Sequence, residues 1–386
     1  MKENNAARVL GFRLRQERMR RDWSQEGLCR GICAVSWLSK LEQGKADASP
    51  EVLSMLLERL ELPPYDDDPA LGAAIEAQYE RVFSDERDWD AFTPLLGRLQ
   101  SSPWAADALV LDALRRRDAS DLDPAWVDCF DARQRAMFLL LKEKDMAAAE
   151  LLPNAFFRMQ VGIDAYERGA YYDALPALEQ AYRSAAEEGR PRLMLQAKLF
   201  SGNCYCNLLK FEQMERHYAV ARRLAQALGA ARDLAAMEYN EASSWVECGD
   251  YARAEKFFAA FEQPGVMELH KLAICREKLG DPAGAMAALD RAAGMQSDYP
   301  PTELSERMLA LVRLRVEHPD YLRSGAYGRL LLESFARFRK ELPSGYAMFH
   351  RPWVLEWLLA HRQYKEAYAL LAEDNRCFSC TIRIKD

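Results

Sequence analysis

Side chains that could contact nucleic acid are concentrated in residues 13–45. Guanidinium and ammonium groups bind phosphate oxygens, and small or hydroxyl side chains can approach base edges. A run of basic residues is usually only a solvated helix face, so its chemistry depends on the elements that carry it. The basic members of the set are Arg13, Arg15, Arg18, Arg20, Arg21, Lys40 and Lys45.

Two short amphipathic helices are predicted within residues 24–50. Ser24 is a favourable N-cap for the first helix, and Gly44 can end the second because glycine takes positive φ at little cost. Between these two residues, apolar side chains recur one helical turn apart, which predicts a buried face on each helix. The apolar residues are Leu28, Ile32, Leu38 and Leu41.

Two helices joined by a turn of three to four residues form a helix-turn-helix, whose second helix fits the major groove of B-DNA. The residues that begin the second helix would then face outwards, towards base edges and phosphates. For Trp37 two alternatives stay open: contact with a thymine methyl group, or cover for the surface of the domain. The predicted DNA-facing residues are Ala34, Val35, Ser36, Trp37 and Lys40.

Residues 38–62 are similar to the recognition helix, trailing loop and fourth helix of Cro/repressor-type (XRE family) DNA-binding domains. The motifs Ser39-Lys40, Glu42-x-Gly44-Lys45 and Ser49-Pro50 fall at the spacing of that family. The resemblance implies DNA binding, with Lys45 inside the matched motif and Gln25 as a phosphate contact at the start of the first helix. Without the resemblance, an all-helical domain could carry the same segment as packing alone.

The segment PPYDDDP, residues 63–69, is the clearest linker in the chain because it is rich in proline and locally acidic. Before it, a helix over 5–21 should bury Leu10 and Leu14, and Pro50 should open a helix that runs to Leu60. The predicted organisation is a helix-turn-helix domain at 1–62, a linker at 63–70 and a helical repeat domain at 71–386.

Charge is divided unevenly along the chain. Residues 1–65 hold 11 basic and 9 acidic residues, whereas the remainder holds 41 and 50. The N-terminal part is therefore mildly basic and the rest acidic, as expected if only the first part meets DNA. The arginines around Arg13 would then follow the phosphates and make the affinity dependent on salt.

Composition indicates a folded, soluble protein, with 49% hydrophobic and 29% charged residues. No stretch is long and apolar enough to span a membrane or to act as a signal core, so we predict a cytoplasmic protein without a membrane partner. Nine scattered cysteines do not suggest a disulfide framework, and Cys204, Cys206, Cys248 and Cys275 most resemble small buried apolar residues. Cys377 and Cys380 form a C-x-x-C, but a zinc site would need further ligands.

A row of small and aromatic residues recurs along the acidic part of the chain, with periods of 40, 40 and 31 residues. Its pattern is a glycine, an aromatic residue and then small or apolar residues at helical spacing, and a last copy lacks the glycine. The copies are Gly169, Tyr171, Ala174, Leu178 and Ala181; Leu209, Phe211, Met214, Tyr218 and Ala221; Gly249, Tyr251, Ala254, Phe258 and Phe261; Gly280, Pro282, Ala285, Leu289 and Ala292; and Tyr364, Ala367 and Leu371.

This row is similar to the second helix of the tetratricopeptide repeat, which predicts an all-α, right-handed superhelical array of degenerate helix pairs. The first helices would line a concave surface suited to an extended peptide. Asparagines there can bond both N–H and C=O of a peptide, and glutamates would favour a basic or amino-terminal partner, although each residue could equally be a solvated one. The predicted surface holds Tyr166, Asn203, Asn207, Tyr239, Ser243, Glu247, His270 and Glu277.

Catalytic and cofactor motifs are absent from the sequence. There is no phosphate-binding glycine loop, no dinucleotide fingerprint, no H-E-x-x-H and no G-x-S-x-G, and the five histidines are far apart. We therefore expect neither an enzyme, nor a metal ion, nor a cofactor.

The combined architecture is similar to the RRNPP regulators of Gram-positive bacteria. That resemblance implies a homodimer, a two-fold related operator and a short signalling peptide held by the repeats, as in quorum sensing. The hypothesis is that peptide binding repacks the repeats and so resets the spacing of the two DNA-binding heads. Two alternatives stay open: a ligand-independent repressor whose repeats only dimerise, and a protein-binding scaffold tethered to DNA.

Overall fold

The computed structural model describes residues 3–86, 88–120, 122, 127, 129–208, 210–297, 300–342 and 344–379. All regular structure within these ranges is helical, as predicted. The first helices are α1 (Glu3–Arg20), α2 (Gln25–Cys29), α3 (Val35–Glu42), α4 (Pro50–Arg59), α5 (Pro69–Phe83), α6 (Leu96–Leu99), α7 (Ala105–Arg116), α8 (Ala132–Leu141), α9 (Asp145–Leu151), α10 (Ala155–Glu167) and α11 (Tyr171–Glu187).

The chain continues with ten further helices. They are α12 (Pro191–Asn207), α13 (Phe211–Ala227), α14 (Ala231–Cys248), α15 (Tyr251–Ala259), α16 (Val266–Lys278), α17 (Pro282–Ala292), α18 (Thr302–Glu317), α19 (Gly325–Glu341), α20 (Ser344–Ala360) and α21 (Tyr364–Ser379), with single 3-10 turns at Thr93–Leu95 and Tyr321–Arg323. Nothing in this described set is both long and apolar enough for a bilayer-crossing helix. Residues 380–386 lie outside the described residues.

Contacts divide the chain into two compact units. The first unit holds residues 1–161 and 180–194, and the second holds 162–179 and 195–386. The predicted linker at 63–70 therefore lies inside the first unit, where Arg98 forms ion pairs with Asp66 at 2.6 Å and with Asp68 at 3.0 Å. The limits proposed from the sequence for the helix-turn-helix domain, residues 1–62, therefore stay a prediction.

The N-terminal helices have a hydrophobic core of their own. Leu14, Leu28, Leu38 and Leu41 are buried within it, as the helical periodicity predicted. Gly11 permits the crossing of α1 and α3, because a Cβ atom there would lie 1.9 Å from the carbonyl oxygen of Leu41. A side chain at this position would thus force the two helices apart.

The second unit is a series of helical hairpins in which each helix from α13 to α21 packs on the next. The turn residues Gly169, Gly249 and Gly280 have φ values of +76°, +81° and +78°. Such left-handed backbone favours glycine, which explains the glycine in these three rows of the repeat. Leu209, the residue that occupies the first place of the second row, lies outside the described residues.

Close helix approach explains two more glycines. A Cβ atom on Gly162 would lie 2.6 Å from Cδ2 of Leu178, and one on Gly202 would lie 2.2 Å from Cε1 of Tyr218. The aromatic and apolar residues of each second helix therefore pack directly on the backbone of its first helix. Tyr218 is fully buried as a result.

Three large side chains of the predicted rows do not belong to the core, and Pro282 at the start of α17 is exposed as well. Phe261 is 37% exposed, because it follows the end of α15, and in α21 Tyr364 and Leu371 are 62% and 50% exposed. In the described part of the chain no further helix follows α21 to cover them. In this last copy of the row only Ala367 is buried.

Seven described cysteines are free thiols. Cys204 and Cys275 are buried as predicted, but Cys248 is exposed and Cys206 is only partly buried. The predicted packing role is thus wrong for Cys248, which lies at the last position of α14. The side chain of Cys377 and the whole of Cys380 lie outside the described residues.

Candidate functional site

The turn between α2 and α3 places the first residues of α3 in solvent. Ser24 caps α2 by accepting a hydrogen bond from the backbone N–H of Gly27 at 3.0 Å. Arg59 donates to the carbonyl oxygens of Leu28, at 2.9 Å, and Arg30, and so fixes the far end of α2. Ala34 then begins α3 as an N-cap with no side-chain bond.

The residues predicted to face DNA divide by exposure. Ala34, Val35, Ser36 and Lys40 are exposed, and Val35 is an apolar residue with 42% of its surface in solvent. Trp37 is partly buried and packs against the core of the first three helices. For Trp37 the structure therefore favours a role in covering the domain surface over contact with a thymine methyl group.

A backbone motif ends α3 and positions Lys45. Gly44, at φ +66°, donates to the carbonyl of Leu41 at 2.8 Å, and the N–H of Lys45 donates to the carbonyl of Lys40 at 2.8 Å. This pair of bonds is a Schellman motif, which satisfies the last carbonyls of the helix. Lys45 is exposed and donates its ammonium to Gln43 at 2.8 Å.

Glu42 is a buried carboxylate that joins three elements. Arg18 donates to its two oxygens from Nε at 2.7 Å and from Nη2 at 2.9 Å, and Gln25 donates from Nε2 at 2.8 Å. Bidentate arginine–carboxylate pairs are strong and directional, so this one locks α1 against α3. Arg18 is thereby withdrawn from the set of phosphate contacts. Gln25 keeps one amide hydrogen for its predicted phosphate contact.

Arg13 does not lie in the exposed set to which the sequence assigned it. Its side chain enters a cavity of about 220 Å³ lined by residues of α1, α6 and α7, and Nη2 donates to Gln100 at 3.5 Å. Burial lowers the pKa of Arg13, although Glu17 opposes the shift. The contact of Arg13 with DNA stays a prediction, and nothing in the sequence indicates that α7 packs beside this residue.

Two other arginines of α1 also form ion pairs within the protein. Arg20 and Arg21 both form ion pairs with Glu17, the first at 3.0 Å. Arg15 is exposed. Lys40, Lys45 and Arg15 are therefore exposed members of the basic set for which the described part of the chain holds no ion pair.

A groove of about 580 Å³ opens within the second unit, and its size is that of a small-ligand pocket. Three groups of residues form it: the first helices α10, α12, α14 and α16, the N-terminal residue of α11, and the end of α19 with α20. Seven of the eight residues predicted to bind a peptide line it, namely Tyr166, Asn203, Asn207, Tyr239, Ser243, Glu247 and His270.

Glu277 is the predicted residue that does not line the groove. Its carboxylate accepts from Nη2 of Arg315 at 3.1 Å, and the side chain of Arg315 is fully buried. Arg315 also lies 4.4 Å from the ring centre of Trp353. The predicted peptide contact is corrected, because α18 covers this last turn of α16 and recruits Glu277 into an internal ion pair.

Asparagines in the groove are held by a polar network. Oδ1 of Asn203 accepts from the hydroxyl of Tyr218 at 2.6 Å and from Nδ2 of Asn240 at 3.2 Å. Asn207 donates to the backbone carbonyl of Asn203 at 2.8 Å. The carboxamide of Asn203 is thus fixed by its oxygen, and its NH2 group is left to donate to a ligand carbonyl.

Two buried histidines form part of the groove floor. The rings of His270 and His350 are stacked with their centres 5.9 Å apart. Burial lowers the pKa of His270 well below its usual range, and lowers that of His350 to about 3. Both rings are therefore neutral near pH 7.

One lysine and one glutamate supply opposite charges beside these rings. Lys271 is 6% exposed, and its ammonium nitrogen lies 3.0 Å from the ring centre of Phe349. Burial lowers the pKa of Lys271 to about 8, although Glu247 opposes the shift. Glu247 reaches solvent inside the groove, yet the surrounding protein raises its pKa, and Lys271 opposes that rise.

The contribution of α20 was not anticipated from the sequence. Tyr346, Phe349 and His350 line the groove from this helix, together with Leu342 before it. These residues lie far along the chain from α10–α16, and no repeat pattern marks α20. Only the packing of α19 and α20 brings them to the groove, so the periodic rows gave no signal for them.

Residues 9–68 match the family model described as a helix-turn-helix domain. This segment is a helix-turn-helix domain. The helix-turn-helix domain followed by helical hairpins is the order of elements that the sequence resemblance implied. Within the described residues, no group of three or more His, Cys, Asp or Glu side chains is arranged to hold a metal ion.

Two solved structures resemble the chain beyond its helix-turn-helix domain. One is the Rap protein complexed with competence and sporulation factor, with 16% identity, coverage of 78% of this chain and 99% of that chain, and a TM-score of 0.47. The other is PlcR from Bacillus thuringiensis in complex with the peptide PapR7 and DNA, with 13% identity, 73% and 99% coverage and a TM-score of 0.30. No match is found among curated proteins.

Proposed function

We propose that the chain is a sequence-specific DNA-binding transcriptional regulator whose helical hairpins sense a short signalling peptide and thereby gate the DNA binding of a homodimer. The observation that carries the proposal is the groove, where seven residues chosen from the repeat pattern alone line one cavity. A helix-turn-helix domain lies on the same chain, and its DNA binding is the activity that a ligand in the groove would control. The RRNPP-like sequence pattern supports the same function.

DNA recognition is assigned to the exposed start of α3. Ala34, Val35 and Ser36 would meet base edges, while Lys40, Lys45 and Gln25 would contact phosphates. The bond from Gln25 to Glu42 would hold that side chain in place before DNA arrives. Since the helix is anchored through Glu42 to α1, the domain would bind as a rigid body.

Peptide recognition is assigned to the groove. A peptide backbone needs donors and acceptors along its length, and the amides of Asn203 and Asn207 offer both. Aromatic side chains at Tyr166, Tyr239 and Phe349 would pack against peptide side chains. A ligand that favours one packing of the hairpins would shift their equilibrium by its difference in affinity for the two states.

A homodimer would place two reading helices on an inverted repeat, with half-sites separated by roughly 34 Å or a multiple. The exposed face of α21 is our candidate for the dimer surface. Tyr364, Tyr368 and Leu371 lie about one helical turn apart and are 62%, 73% and 50% exposed. Large apolar side chains grouped in this way usually mark an interaction surface.

The test is selection of bound sequences from a random DNA pool by the full chain, with and without synthetic peptides encoded near its gene. An inverted repeat whose occupancy changes with one peptide supports the proposal. An inverted repeat indifferent to every peptide contradicts peptide gating and favours a ligand-independent repressor. Loss of all sequence preference would contradict the DNA assignment, and Ala34→Arg should change the selected sequence if α3 reads bases.

A further inference from the structure

Buried polar atoms at one end of the groove have no partner within the protein. Both ring nitrogens of His270 and Nε2 of His350 lack hydrogen bonds, and the two residues are 0% and 1% exposed. Buried polar atoms are almost always paired, and leaving one unpaired costs free energy. These three nitrogens lie on residues that line the groove, so a bound molecule could supply their partners.

Lys271 adds a buried positive charge at the same place. Its ammonium lies over the ring of Phe349, and the residue is more than nine-tenths buried. In the described part of the chain no carboxylate oxygen is within ion-pair distance of it, and Glu247 acts on it only through space. A desolvated ammonium is stabilised most by an anion that enters the same low-dielectric site.

We infer that this end of the groove, formed by His270, Lys271 and His350, is a subsite for a ligand carboxylate. The inference rests on the proposed function and reverses one expectation, since the sequence pointed to a basic or amino-terminal partner through Glu247 and Glu277. Glu277 is occupied by Arg315, and Glu341 at the groove edge is paired with Arg337. Lys271, in contrast, is a buried groove charge with no ion pair in the described part of the chain.

The hydrogen-bond roles of the two rings fit such a ligand. Nδ1 of His350 lies 2.8 Å from the carbonyl oxygen of Tyr346, so Nδ1–H donates and Nε2 is an acceptor. The neutral ring of His270 offers one N–H, which can donate to the carboxylate beside Lys271. A peptide N–H of the same ligand would satisfy Nε2 of His350.

Two ligand groups share this chemistry: the C-terminal carboxylate of a peptide and the side chain of Asp or Glu. Short random peptides are therefore prepared as four pools: unmodified, amidated at the C-terminus, lacking Asp and Glu, and both amidated and lacking Asp and Glu. Each pool is passed over the immobilised full chain, and retained peptides are identified by mass spectrometry. Retention of the amidated pool assigns the ligand carboxylate to an Asp or Glu side chain. Retention of the pool that lacks Asp and Glu assigns it to the C-terminus of the peptide.

The expected result is that peptides of the first pool are retained and those of the fourth are not. Lys271→Met should weaken the binding of the retained peptides roughly 10- to 100-fold, which is the contribution of a charge-assisted hydrogen bond in a desolvated site. Lys278→Met is the matched control, because Lys278 is an exposed lysine on the same helix that does not line the groove, and it should change retention little.

Three outcomes overturn the inference. Equal retention of the fourth and first pools shows that no carboxylate is needed, and undiminished retention by a folded Lys271→Met shows that Lys271 does not recognise one. If Lys271→Met does not fold, the comparison of pools on the unaltered chain decides alone. Failure to retain any pool contradicts the peptide-binding function itself, which separates that failure from a wrong subsite.

Discussion

Glu42 holds the reading helix through a carboxylate that is 5% exposed. Removal of one partner from a buried ion pair typically costs about 3–5 kcal/mol, because the remaining charge stays desolvated. Glu42→Ala should therefore lower the free energy of unfolding by about 3 kcal/mol, measured by urea denaturation. Glu26→Ala is the control, since the pair of Glu26 with Arg30 is exposed at both ends and spans 3.5 Å. Equal effects of the two changes would contradict the structural role of Glu42.

Lys40 contributes to DNA binding as a charge rather than as a base reader. We expect Lys40→Ala to weaken binding about uniformly across sequences and to reduce the slope of log affinity against log salt by about 1. Fluorescence anisotropy at several salt concentrations measures both effects. Lys365→Ala, at an exposed position of α21, should leave the slope unchanged. A changed sequence preference in Lys40→Ala would instead make Lys40 a base contact.

His350 should make the protein sensitive to acid. Its pKa is about 3 in the folded protein, because burial, Lys271 and Arg315 all disfavour its charged form. The unfolded chain takes up a proton near pH 6.5, so stability falls as the pH drops from about 6.5 towards 3 and is regained as the pH rises. At pH 5 this difference is about 2 kcal/mol.

His350→Phe should consequently flatten the decline of the melting temperature between pH 7 and pH 5. The contribution of His270, whose pKa is also lowered, would remain. His318→Gln is the comparison, because His318 is exposed at the end of α18 and its loss should leave the profile unchanged. An unaltered profile in His350→Phe would show that the ring is protonated in the folded state.

At the scale of elements, the close approach of α12 and α13 depends on Gly202. Gly202→Ala would drive a methyl group into the ring of Tyr218, and overpacking of this kind typically costs about 1–3 kcal/mol. Gly97→Ala is the matched control, since nothing lies within 4 Å of a Cβ atom at that position. Differential scanning calorimetry should find a lower melting temperature only for Gly202→Ala. An unchanged melting temperature in Gly202→Ala would mean that Tyr218 moves aside without strain.

Helix periodicity and turn glycines were sufficient to predict most of these elements. They predicted α2, α3, α4 and the rows that end in Ala181 and Ala292, because those patterns depend on contacts between neighbours in sequence. They did not predict the fate of Glu277 or Arg13, since each meets a partner helix more than 35 residues away. The sequence did not predict the groove residues of α20 for the same reason, because their place in the groove depends on packing between helices that are far apart in the chain.

At the scale of the whole molecule, the exposed side chains of α21 should determine the oligomeric state. Tyr368→Glu would place a charge at the residue with 73% exposure, so it should disfavour a dimer without unfolding the monomer. Light scattering of the full chain should show a dimer that becomes a monomer in Tyr368→Glu. The melting temperature at low concentration serves as the control, and a dimer that persists would place the interface elsewhere.

The position of α20 in the chain also has a consequence for how the protein is made. Translation completes residues 9–68 early, and these residues carry their own hydrophobic core. Phe349 and His350, in contrast, are added after residues 9–68 and after the first helices that line the groove. A nonsense allele that ends the chain after Glu341 should therefore differ in phenotype from a null allele. Its product would keep the reading helix but lack one wall of the groove. Its DNA binding would then not respond to the signalling peptide.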